Sequence, residues 1–468
     1  MQNRALWWKL VILGGVTLLL TAALLRIGGL VDERQQRQRA AEANVAAAQA
    51  GPQVVLGPLI QRSCSEQWES AAGPAPSRLL ERRDFVLTAL PAELLVDGKL
   101  QHQTRARGLF KVNAYAARLT LQARWSTLAG LAPQAEHGGR LRCEEPRVML
   151  AVSDSRGLRS VVVQRGGEAL TVVPGTANDS YPRGLHAVLP AQALDQPLSV
   201  TVAVQLLGMT DFGIVPAASA TQLTLHADWP HPSFVGRFLP LASRVDAAGF
   251  EANWQVSELA TTALRDVRDG KALPVIERDP DGAGPSRAAT ADGAKAAASI
   301  ADTLAFSMID PVNPYVMSDR AIKYGLLFIV LTFVCVGLLE LLSGRRVHPV
   351  QYLLVGSAMT LFFLLLLSLS EHLSFGVSYG LAAGAAVALL GFYGSAMLGA
   401  LRRGVGFGAL IALLYGALYL LLSLEKAALL VGALLLFAVL AGVMALTRRI
   451  DWYRLDGVVR PAVRRATA

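Results

Sequence analysis

The sequence predicts a membrane protein with six transmembrane α-helices, one N-terminal and five C-terminal, and a large β-rich domain inserted after the first helix. Three observations carry this. Hydrophobic residues make up 53% of the 468-residue chain and the mean hydropathy is +0.40, yet the excess sits only at the N-terminus and in the last third. A middle of ordinary aqueous composition between such ends fits a soluble domain inserted into a membrane protein. Within that middle, apolar and polar residues alternate. Between the late apolar runs, every second break is basic.

The first run, Leu10–Leu25, follows Arg4, Trp7, Trp8 and Lys9 and is closed by Arg26. A basic start before an apolar stretch also describes a cleavable signal peptide. The small-residue site around Ala46–Ala48 lies far downstream, so an uncleaved signal anchor over 1–30 is expected, with the tryptophans at the interface. Asp32–Gln49 is polar, alanine-rich and free of Gly and Pro, which suits a helical stalk.

Residues 31–319 form the expected β-rich domain. Leu119, Leu121, Ala123 and Trp125 alternate with polar neighbours, as do Leu198 to Leu206, Leu223 to Trp229 and Phe250 to Val256. A period of two marks strands with one buried face. Asp97-Gly98, Arg156-Gly157 and Gly166-Gly167 are turn signals between them. A sandwich or an elongated twisted sheet follows. Residues 266–298, rich in Gly, Pro, Ala and Asp, are expected to be a mobile insertion. Asp279-Pro-Asp281-Gly282 lacks the remaining ligands of a calcium loop and is expected to be a polar turn.

The five late runs, within 320–446, are Tyr324–Leu342, Val350–Leu369, Phe375–Leu398, Val405–Leu424 and Ala427–Leu446. Each approaches the roughly 20 residues a spanning helix needs. Arg345 with Arg346, Arg402 with Arg403, and Arg448 with Arg449 mark alternate breaks; the others hold Glu371 with His372, and Glu425 with Lys426. Arginine-rich loops stay in the cytoplasm, so both termini are expected there and the β-rich domain in the periplasm. The basic tail, 447–468, would lie against an anionic inner leaflet. Small-residue pairs such as Gly380 and Gly384, Gly391 and Gly394, or Gly404 and Gly408 allow close helix approach.

Three polar residues are candidates for function. Glu371 and His372 interrupt the apolar text LSLSEHLSF (367–375), either as an external hairpin or as an intramembrane pair. The hairpin is the expectation. Glu340 lies inside an apolar run, where it either reaches the interface near Arg345 and Arg346 or marks a proton or ion site. Cys335 is expected to be an inert buried thiol. Cys64 and Cys143, in polar stretches of a domain assigned to an oxidising compartment, are expected to form a disulfide.

No nucleotide, metalloprotease or hydrolase motif is present, and the seven histidines are scattered. His226 and His231 flank Asp228-Trp229-Pro230 in an expected solvent-facing turn. No cofactor, metal site or catalytic residue is therefore expected. The net charge is +9, and arginines cluster beside apolar runs, which points to lipid and not to nucleic acid.

Several stretches resemble the CreD family of inner-membrane, cell-envelope integrity proteins. They include GPQVVLGPLI (51–60), LPAELLVDGKL (90–100), HADWPHPSFVGRFLP (226–240) and GFEANWQVSEL (249–259). The late helices add AIKYGLLFIVLTF (321–333), HPVQYLLVG (348–356), SLSEHLSF (368–375), LGFYGSAMLG (390–399) and TRRIDWYRL (447–455). The resemblance runs nearly end to end. It implies bacterial origin, a periplasmic middle domain and a role in envelope integrity under a two-component system. It carries no catalytic motif to transfer, and it makes Glu371 and His372 more notable. The insertion at 266–298 and the cysteine pair depart from the family pattern. The function expected is envelope support through binding of an envelope protein or lipid by the periplasmic domain. A transporter or lipid-handling protein, or a membrane-bound enzyme, is the alternative.

Overall fold

The computed structural model describes residues 2–71, 78–108, 110–190, 194–276, 299–308, 313–343, 347–424 and 428–448. The chain divides into two compact units, one from Met1–Arg37 with Val312–Ala468 and the other Gln38–Pro311. Arg345, Arg346, Glu425, Lys426, Asp279–Gly282 and the tail from Arg449 lie outside the described residues.

Helix α1 (Gln2–Ala48) is continuous, because nothing between Asp32 and Ala48 breaks it. Its C-terminal carbonyls at Ala46 and Ala47 accept from the Arg156 guanidinium. A cation there meets both the unpaired carbonyls and the negative end of the helix dipole. Asp154 holds Arg156 at 2.6 Å and accepts from the Gly51 N–H at 3.1 Å. Val45 packs with Val112, Ala114 and Met209.

The middle unit is a β-sandwich. Its strands in order are β1 (Gln53–Ala71), β2 (Arg78–Ala89), β3 (Glu93–Arg107), β4 (Phe110–Trp125), β5 (Arg140–Cys143), β6 (Arg147–Val152), β7 (Leu158–Arg165), β8 (Glu168–Leu170) and β9 (Val172–Pro174). There follow β10 (Gly184–Val188), β11 (Leu198–Met209), β12 (Asp211–Ile214), β13 (Ala220–Ala227), β14 (Pro232–Gly236), β15 (Ala242–Asp246), β16 (Gly249–Ser257) and β17 (Leu304–Met308). One sheet runs β14-β17-β12-β1-β6-β10-β9, with β2 and β5 also paired to β1; the other runs β15-β16-β13-β3-β4-β11-β7-β8. Val55, Ile60 and Phe212 of the first sheet share a core with Leu121, Val202 and Trp254 of the second.

The alternating stretches form β4, β11, β13 and β16, with their apolar positions inward. Trp229 lies past the end of β13. The first sheet behaves differently. Val54, Leu56, Leu59 and Met149 face a second core with Val215, Ala263, Val267 and Ile300, so β1 and β6 are covered on both faces. Two-sided burial produces continuous apolar text such as VVLGPLI and VMLAV, which a search for alternation passes over.

The expected turn at Asp97-Gly98 is a correction: both residues lie in β3, paired with Thr120 and Leu119 of β4. Gly98 is there because a Cβ would stand 2.5 Å from Leu225 Cδ2 and 2.9 Å from Leu119 Cδ2. Gly166-Gly167 does form the turn of the β7–β8 hairpin, at φ of 56° and 92°. The mobile insertion expected from residue 266 is also corrected at its described start. Asp266 and Val267 are buried in helix α2 (Ala263–Arg268). The buried Asp302 anchors that helix start, accepting from the Thr262 N–H at 2.8 Å and the Thr261 hydroxyl at 2.7 Å.

The other unit gathers the first part of α1 with α3 (Pro314–Ser343), α4 (Pro349–Ser370), α5 (Phe375–Leu398), α6 (Leu401–Ser423) and α7 (Ala428–Thr447). Helix α3 starts ahead of the boundary expected after Asp319, and an Asp319–Lys323 pair at 2.7 Å spans its early turns. Cys335 is half-buried on α3, not buried as expected; its neighbour Val336 takes the inward position. Helices α5 and α6 approach through glycine: a Cβ on Gly408 would lie 3.3 Å from the Gly391 Cα. Gly380 and Gly384 face open space instead.

Gly98→Val would overpack β3 against two leucines, and should cost about 1–3 kcal/mol, read as a lowered unfolding midpoint of the purified protein. An unchanged midpoint would show that the leucines yield without strain.

Candidate functional site

Two polar clusters and one cleft hold the candidates. In the helical unit, Lys9 Nζ donates to both Glu340 oxygens at 2.5 and 2.6 Å. The Tyr352 hydroxyl donates to Glu340 Oε2 at 3.0 Å, and Lys9 also lies over the Tyr352 ring, 5.6 Å from its centre. The arrangement follows from chain direction. Lys9 is near the start of α1, Glu340 near the end of the antiparallel α3, and Tyr352 in the first turn of α4.

Arg34, Tyr315 and Glu371 meet in a second cluster. Arg34 Nε lies 3.1 Å from Glu371 Oε1, and Tyr315 feels the charge of both. Glu371 caps the end of α4 and Tyr315 opens α3. Lys9 and Arg34 are about 25 residues apart on one helix, or roughly 37 Å at about 1.5 Å per residue. That exceeds a hydrocarbon core of about 30 Å, so a spanning α1 carries one cluster at each of its polar boundaries. His372 does not join the pair: it is exposed in the turn after α4, its backbone N–H donating to the Leu369 carbonyl at 3.0 Å.

The middle unit holds a cleft of about 700 Å³. One wall is the β1–β5 pair, where Cys64 stands opposite Cys143 with Cα atoms 4.1 Å apart and a disulfide joining them. Phe85 of β2 lies opposite Cys64 on the other side. The second wall is the loop 177–181. Asn178 Oδ1 accepts from the Ser180 N–H at 2.8 Å and the Tyr181 N–H at 3.2 Å, and Ala177 takes a left-handed φ of 57°. The third is the end of α2, where Gly270 approaches so closely that a Cβ would sit 2.6 Å from Ser180 Oγ.

Charges around this cleft are unevenly satisfied. Arg82 pairs with Asp84 at 2.8 Å, and Glu144 with Arg147. Arg142 and Arg268 are exposed and hold no ion pair among the described residues. Tyr181 is 3% exposed and its hydroxyl has no hydrogen-bond partner. Burial, reinforced by the charge of Asp266, pushes its pKa up to about 12, so the phenol stays a proton donor. Beyond the cleft, Glu66 is enclosed by the loop 136–139. Burial alone would raise its pKa, but the N–H groups of His137, Gly139 and Glu136 more than offset this and hold it below the usual carboxylate value.

The histidines of the Trp229 turn are structural neighbours. Trp229 Nε1 donates to the His231 carbonyl at 2.8 Å, and the His102 ring packs on Trp229 at 4.6 Å. No group of three or more His, Cys, Asp or Glu that could hold a metal ion occurs among the described residues. Sequence reasoning missed Lys9, Arg34 and Tyr352 as partners of the carboxylates. The available signal was that Lys9 and Arg34 each stand outside one end of the first apolar run. It missed the cleft entirely, since its walls come from distant segments.

A family model described as "Inner membrane protein CreD" matches residues 5–453. The inner membrane protein CreD of Escherichia coli (strain K12) is 33% identical over 458 residues, covering 97% of this chain and 95% of that protein.

Lys9→Met and Glu340→Gln should each lower the unfolding free energy by about 1–3 kcal/mol, between the values for exposed and buried pairs. The double variant should cost less than their sum; strict additivity would show that the pair is not coupled. Tyr181→Phe removes a buried, unpartnered hydroxyl and should leave stability unchanged or raise it by up to about 1 kcal/mol. A loss of that size would mean the hydroxyl is bonded within the fold.

Proposed function

Because the chain belongs to the CreD family of inner-membrane proteins, we propose that it supports cell-envelope integrity through binding by its β-sandwich in the periplasm. In this reading the helices anchor the sandwich, and both termini are cytoplasmic. Arg402 and Arg403 stand at the α5–α6 break and Arg448 follows α7, so these basic groups share one side by the alternation of spans. The break after α4 carries Glu371 and His372 and belongs to the other side, with Arg34 and the start of the sandwich. A disulfide in the sandwich suits an oxidising compartment.

The observation that carries the binding role is the cleft of about 700 Å³, within the size range of small-molecule sites and built on rigid strands. The helical unit favours an anchoring role over transport. Its suspicious carboxylates, Glu340 and Glu371, are engaged by cations at opposite helix ends and not suspended at mid-span.

A strain lacking the protein should lose resistance to envelope-directed stress, and the wild-type chain should restore it. Glu340→Gln at equal abundance should restore it as well. Loss of rescue by that variant would favour ion-coupled transport. A cytoplasm-active reporter joined after Arg454 should signal; a periplasmic signal from that position would overturn the topology.

A further inference from the structure

The cleft beside the disulfide has a chemistry that narrows its ligand, given the reading of the sandwich as a binding domain. Of its three lining arginines, Arg82 is neutralised by Asp84. Arg142, on β5, and Arg268, at the end of α2, are unpaired among the described residues. Of the lining acids, Asp84 and Glu144 are likewise paired, which leaves Asp179. Two free guanidiniums against one free carboxylate leave the cleft positive. A guanidinium recognises carboxylate or phosphate by paired hydrogen bonds.

The rest of the lining is not that of a lipid-tail pocket. Ser63, Ser65 and Thr88 present hydroxyls, and Asn178 adds an amide whose oxygen fixes the loop. Many short donors and acceptors suit a polyol ring. We propose that this cleft binds an acidic sugar, a hydroxyl-rich ring bearing carboxylate or phosphate, whose anion is held by Arg142 and Arg268.

Calorimetric titration of the purified full-length protein tests this with galacturonic acid, galactose 1-phosphate and neutral galactose. Both acids should bind, and galactose about tenfold or more weaker, as expected for losing a charge-assisted hydrogen bond. The better of the two acids identifies the anion as carboxylate or phosphate. Arg142→Gln and Arg268→Gln should each weaken the acids by about tenfold, with an unchanged unfolding midpoint, while Arg244→Gln on β15 should not. Equal binding of galactose, an equal effect of Arg244→Gln, or no binding of any probe overturns the proposal. A chain that binds no probe yet rescues the deletion strain would sink this ligand class and leave the binding role standing.

Discussion

Strand β1 is the element on which the sandwich depends, because its first half is buried on both faces and it is paired along both edges. Its first half hydrogen-bonds β12 and β6, and its second half β2 and β5. Val55 and Ile60 point into the shared core while Val54, Leu56 and Leu59 point into the second. Over Gln53–Gln61 the strand has no solvent face, so a polar substitution of an apolar residue on either side must bury an unpaired group. Further along the same strand Cys64 and Glu66 are also buried, one by the disulfide and the other by the loop 136–139. The cleft wall is therefore set by the best-supported backbone in the domain.

The helical unit obeys a different constraint. Its interior offers ionisable groups no water, so they gather where helix ends meet. Antiparallel neighbours bring the start of one helix beside the end of the next, which is how Lys9 reaches Glu340 and Arg34 reaches Glu371. Between these ends the contacts are mostly apolar, though the buried Ser378 and Tyr415 hydroxyls find no partner among the described residues. Phe362 packs against Tyr379 and Tyr415, and the Tyr379 hydroxyl donates to the Tyr415 carbonyl at 2.6 Å. Glycines at 391 and 408 let α5 and α6 close without side chains between them.

Function then divides along the same line. The bundle's two candidate carboxylates are each held by a cation, whereas among the described residues the sandwich keeps two cleft arginines without an ion pair. Groups left in that condition on rigid walls are a site's usual raw material, because the fold has held them in place without neutralising them.

The sequence by itself determined the membrane class, the helices and the four alternating strands. Each is a local pattern: about 20 apolar residues decide a span, and a period of two decides a half-buried strand. The two-sided strands escaped because burial on both faces erases the period. Gly98 was misjudged because local text cannot show that Leu225 and Leu119 arrive to fill its space. The two cysteines were noticeable as a pair, but only the β1–β5 register sets Cys64 opposite Cys143. Glu340 and Glu371 stood out as charges in apolar text, while their partners, some 331 positions away in the case of Lys9, did not. Arg142, Tyr181 and Arg268 are unremarkable in sequence. They become a site only because a β-strand, a loop and a helix end converge, and convergence of distant segments is a property of packing that no local pattern encodes.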